Sequence, residues 1–188
     1  ILAVQISDPF EDSEYARKRL EWLEQRKGND YASYLGFEPF TDDRHKVKRA
    51  GNGGKSILDQ AWRDAYEKVL VASAARHRPD YLNPCIEANL WHDHASAEEW
   101  QAFRDFYSRV YDLIKAASPD TKVFCSLQID RVTGHLYGDK RSQWQMLDDP
   151  AVASRFLTRA AAAGLPSGRL RLSGRTPSDA AHLAAYES

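Results

Sequence analysis

Asp80-Tyr-Leu-Asn-Pro-Cys-Ile-Glu-Ala-Asn-Leu-Trp91 is the stretch on which the fold turns. It lies between two helical patterns and reads as a strand. The first helix is expected from about Ile57 to Arg76. Ser56 stands at its cap and Asp59 three residues on. Leu58, Trp62, Ala65, Tyr66, Val69 and Ala72 share one face at 3.6-residue spacing. The second helix is expected from about Ala97 to Ala117. Ser96 and Glu99 form a capping box, and Trp100, Phe103, Tyr107, Val110, Tyr111 and Ile114 make its apolar stripe. Ser118-Pro119 ends it. Lys122-Val-Phe-Cys-Ser-Leu-Gln-Ile-Asp130 then reads as another strand.

Outward from this centre the pattern continues. Leu2 to Ile6 is a buried strand stopped by Asp8-Pro9. Because the chain opens directly on that strand, with Ile1 and not Met, the natural N-terminus is expected to lie further upstream. Residues 12–26 carry a charged, untidy helical pattern around Tyr15, Leu20, Trp22 and Leu23. Residues 28–55 read as irregular, punctuated by Gly28, Gly36, Pro39 and the Gly51-Asn52-Gly53-Gly54 cluster. Strand, helix, strand, helix, strand with long crossovers implies parallel strands and an α/β fold. Asp149-Pro150 opens a further short helix over 149–163. From Gly164 to Ser188 the composition turns to Gly, Ser, Arg, Pro and Ala, as expected of a truncated or frame-shifted tail. The domain reading is therefore 1–163, then an irregular tail over 164–188.

Composition narrows the function classes. The chain has 188 residues, 43% of them apolar and 11% aromatic, enough for one sizeable core. Its 26 basic and 27 acidic side chains leave a net charge of −1. That balance provides no electrostatic footprint for nucleic acid. No apolar run approaches the roughly 18 residues of a membrane span. A soluble chain is expected, its compartment open, secreted or cell-envelope locations included. Nothing in the sequence sets the oligomeric state. Cys85 and Cys125 match neither a disulfide framework nor a metal spacing, and read as core thiols.

Glu87 is the candidate of most chemical interest. Parallel α/β architectures carry their sites at the carboxyl ends of the strands. Flanked by Ile86 and Ala88, a carboxylate there is expected to be desolvated, as a general acid requires. Asn89, two residues on, would point to the same side of a strand. Trp91 is a candidate platform for a sugar ring. The pattern equally fits Glu87 as a salt-bridged strand-end carboxylate. His92-Asp93-His94 raises a metal-dependent alternative, but His45, His77, His135 and His182 are scattered and supply no partner segment. Gly53-Gly54-Lys55-Ser56 is no phosphate loop, since Arg49 stands where the first Gly is needed. No cofactor is expected. Trp62 and Trp100 read as core, and Trp144 as core or a sugar platform.

Arg78-Pro-Asp-Tyr-Leu followed by Ile86-Glu-Ala-Asn resembles the fourth strand of clan A glycoside hydrolases, and the resemblance spans about residues 57–130. It implies an incomplete (β/α)8 barrel, about strands three to six with their helices. It implies a carbohydrate substrate and Glu87 as the acid/base. The family has Asn before that Glu, where this chain has Ile86. Its nucleophile comes from a strand near the seventh, beyond this chain, leaving Asp130 as the nearby second carboxylate and Gln128 as a polar substrate contact. Two other readings stand beside it. One is a non-catalytic carbohydrate-binding barrel. The other is a fragment inactive alone, since an open barrel exposes strand edges.

Overall fold

A computed structural model describes residues 1–10, 13–26, 31–48, 54–135, 142–143 and 146. The chain divides after Leu127 into two compact units. The first holds four parallel strands in sequential order: β1 (Leu2–Ile6), β2 (Ser33–Phe37), β3 (Tyr81–Asn83) and β4 (Lys122–Val123). Between them run α1 (Glu14–Arg26), α2 (Gln60–His77), the one-turn α3 (Ala88–His92) and α4 (Ala97–Ala117). The second unit contributes α5 (Ile129–Thr133). The helix expected over 149–163, the tail from Gly164 and Trp144 lie outside the described residues.

Side-chain alternation sets the sheet. Val4 pairs with Leu35, Leu35 with Leu82 and Leu82 with Val123, so four aliphatic side chains form one row across the strands. None of the four is more than 1% exposed. Burying one such side chain stabilises by about 1.5–3 kcal/mol. The opposite face carries the row Ala3, Tyr34, Tyr81, Lys122, with the Lys122 ammonium 5.1 Å over the Tyr81 ring. α1 packs on β1, α2 on α4, and α4 on β4. His77 at the end of α2 meets Glu24 of α1 at 2.7 Å.

The second expected helix matches α4 residue for residue, and its capping box forms as read. Its buried face gains Phe106, while Tyr111 is only half-buried. α2 begins three residues later than expected. Asp59 is its cap, accepting from the Ala61 and Trp62 amides, while Ser56 donates instead to Glu99 at the head of α4. The buried face of α2 is Trp62, Tyr66, Leu70 and Ala74; Ala65 and Ala72 face solvent.

Three strand expectations need correction. β2 lies inside the stretch read as irregular, hidden by Ser33 and Gly36, which are poor strand signals. With it, Glu87 follows the third strand of the chain and not the second. The strand expected over 80–91 stops at Asn83, because Pro84 has no N–H to continue a ladder. The strand expected over 122–130 ends at Val123, with one further ladder bond from Phe124 N to Leu82 O at 3.1 Å. Gln128 is therefore a helix cap, accepting from the Arg131 amide at 3.0 Å, and Asp130 lies in the first turn of α5.

Arg78 closes α2 in the left-handed region, at φ 40°. Glycine adopts that conformation without the Cβ clash. Arg78→Gly should therefore raise stability by about 1 kcal/mol, read as a higher urea midpoint. An unchanged or lower midpoint would contradict the left-handed cap.

Candidate active site at the carboxyl end of the sheet

Residues 83–88 turn sharply from β3 into α3. Asn83 Oδ1 accepts from the Cys85 amide at 3.0 Å, which starts the turn. Tyr66 of α2 donates its hydroxyl to Pro84 O at 2.6 Å. Ile86 N reaches Phe37 O on β2 at 3.0 Å, and Ala88 N reaches Ser126 O beyond β4 at 3.3 Å. Glu87 N donates to Ser126 Oγ at 3.2 Å. Between these anchors Glu87 is left-handed, at φ 54°. A non-glycine residue there costs about 1–2 kcal/mol. Such conformations persist where surrounding bonds over-determine them.

Glu87 is thus the residue entering a helix and not a strand residue. The strand alternation expected to align it with Asn89 does not apply. Asn89 and Trp91 lie in α3 and are buried, at 0% and 1% exposure. The Trp91 ring stacks on Phe40 with centroids 5.1 Å apart, so as placed it is a core side chain with no free face for a sugar. The expected apolar surroundings of the Glu87 carboxylate are also absent. That side chain is 35% exposed and its Oε2 accepts from Arg44 Nη2 at 3.3 Å. The salt-bridged reading thus describes its contact. Gln128 and Asp130 belong to the second unit.

Glu38, Arg44 and Lys48 form a linked set of ion pairs ending on Glu87, although the charged run Arg44 to Arg49 reads from the sequence as a solvated loop surface. Glu38 directly follows β2, and its Oε1 accepts from the same Arg44 Nη2 at 2.6 Å. The two carboxylates thus share one guanidinium nitrogen. Lys48 Nζ donates to Ser7 O at the end of β1 at 2.6 Å and lies 3.9 Å from Glu38. The turn bearing Arg44 is tied down by antiparallel bridges of Val47 to Phe40 and to Lys55.

Below these charges is a neutral polar group. Asn83 Nδ2 donates to Tyr34 Oη at 3.0 Å and to Ser126 Oγ at 2.9 Å. Desolvation raises the Tyr34 phenol above its ordinary pKa, with the Asn83 bond opposing it. Gly36 makes room for this arrangement: a Cβ there would sit 2.6 Å from Tyr34 Oη and 3.0 Å from Ile86 Cδ1.

His92-Asp93-His94 does not converge on one point. The His92 ring meets the Trp100 ring edge-on at 4.5 Å, whereas His94 lies 4.0 Å from the His45 ring. Among the described residues no group of three or more His, Cys, Asp or Glu is placed to hold a metal ion. Cys85 and Cys125 are free thiols.

No family model, no curated protein and no solved structure matches the sequence.

Gly36→Ala should displace the Tyr34 ring and break its bond with Asn83. The expected cost is about 1–3 kcal/mol in chemical denaturation. A variant as stable as the parent would refute the close approach at Gly36.

Proposed function

We propose that this chain is part of a (β/α)8 barrel of the glycoside-hydrolase kind, in which Glu87 is the acid/base for cleavage of a glycosidic bond in an oligo- or polysaccharide. The observation that carries this reading is the left-handed Glu87, held by bonds from the ends of β2 and β4 and from Arg44. Strain of this kind clusters at functional sites. Its place at the carboxyl end of a parallel sheet is where barrel enzymes carry chemistry. The strand order supports a barrel as well. Sequential parallel strands, given the right-handed crossovers that are the rule, would put every helix on one face, as a closed barrel requires and a doubly wound sheet does not.

In this reading Glu87 gives a proton to the leaving oxygen as its bond to the anomeric carbon breaks, and then takes a proton from the water whose oxygen bonds to that carbon. The half-buried hydroxyls of Tyr34 and Ser126, held by the buried Asn83, supply neutral hydrogen-bonding groups for a sugar. Trp91 has no part in it.

A carbohydrate-binding barrel without turnover is the second reading. Ile86, which stands where the resembled enzymes have Asn, favours it.

Aryl glycosides and plant and microbial polysaccharides, assayed with the parent chain and Glu87→Gln, test both. The catalytic reading expects the variant to lose about 10²–10⁴-fold in kcat. Full activity in Glu87→Gln would reject that role. Sugar binding with no turnover by the parent would establish the second reading.

A further inference from the structure

We infer that Arg44 is the positioning residue of the Glu87 site, fixing the Glu87 carboxylate against Glu38 from a turn built for that purpose. The inference deepens the reading of Glu87 as a working carboxylate and rests on it for its functional half.

Two local costs converge on Arg44. Its backbone is left-handed, at φ 59°, which costs about 1–2 kcal/mol for a residue with a Cβ. Its Nη1 is buried and has no hydrogen-bond partner among the described residues. An unpaired buried donor costs about 1–3 kcal/mol. A guanidinium placed only for stability would avoid both. The turn is nonetheless held in detail. Arg44 N donates to Thr41 O at 2.8 Å, and Asp43 Oδ1 accepts from Thr41 Oγ1 at 2.6 Å and His45 N at 3.1 Å.

What the costs maintain is the far end of the side chain. Arg44 is 15% exposed at its side chain, and its single Nη2 serves Glu38 at 2.6 Å and Glu87 at 3.3 Å. Glu38 is the tighter anchor and is fixed in turn, through Glu38 N to Ile6 O at 3.0 Å. The order of constraint therefore runs from β1 through Glu38 and Arg44 to the carboxylate of Glu87. Two left-handed residues, distant in sequence, meet tip to tip. A guanidinium suits this because it is planar and always charged, and donates in fixed directions. A lysine ammonium could also reach both, but it rotates freely and would not fix their directions.

The test compares Arg44→Gln, Arg44→Lys, Glu38→Gln and Glu87→Gln in the full chain. Amide hydrogen exchange at Ile86 and Ala88 is read against the amides of α4. Arg44→Gln should speed exchange at 86–88 by about tenfold or more while α4 is unchanged, and Arg44→Lys should recover part of the protection. Should Arg44→Gln fail to fold, Glu38→Gln removes the anchor of the same guanidinium and should give the same local loss. Exchange at 86–88 unchanged in the folded variants, or raised equally in α4, would overturn the inference. On aryl glycosides, Arg44→Gln should lower kcat by about ten- to a hundredfold with KM little changed; an effect confined to KM would also overturn it. If Glu87→Gln keeps full activity, the catalytic reading fails, while the exchange data still decide whether Arg44 holds Glu87.

Discussion

The row Val4–Leu35–Leu82–Val123 is the constraint from which the rest of the sheet follows. Side chains alternate along a strand, so a slip of one residue would turn each of these toward the wrong face. Their near-complete burial therefore locks the register of all four strands. With register set, the strands finish together. Ser7, Glu38, the turn at Pro84 and Ser126 arrive at one end of the sheet because the row lies where it does. α1 packs on β1, α4 on β4, and α2 on α4. The other face keeps Tyr34, Tyr81, Phe124 and Lys122, all half-buried.

At that common end the chain departs from regular structure. Pro84 ends the ladder, and the following residues bond outward to β2 and to Ser126. Those bonds hold Glu87 in a conformation that its side chain disfavours. The buried Asn83 is the hinge of the arrangement, bonded to Tyr34, Ser126 and the Cys85 amide together. Nothing in this network adds much stability beyond satisfying buried polar groups. Its effect is to aim one carboxylate.

Sequence reading recovered the parts ruled by local chemistry. α4 was legible throughout, because a capping box, an apolar stripe and a terminal Ser118-Pro119 all agree. The parallel α/β class followed from the alternation of elements. β2 was not legible, because Gly36 is there for the ring of Tyr34 and not for strand propensity. Missing that strand hid Glu38, whose meaning comes only from its place at a strand end. Glu87 was read in the wrong local structure, as a strand residue, because the diversion of the chain at Pro84 depends on bonds to distant segments. Arg44 lay in a charged run that reads as solvated surface, and only tertiary packing buries it. Trp91 and Asn89 suited a sugar site by type, and packing placed both in the interior.

The central claim is that Glu87 is held in a strained turn, its carboxylate sharing Arg44 with Glu38. A crystal structure of this chain, refined finely enough to read the backbone at residue 87, tests it most directly. The account predicts a left-handed residue near φ 54°, with both carboxylates on one guanidinium. An extended or right-handed Glu87, its carboxylate turned away from Arg44, would contradict it.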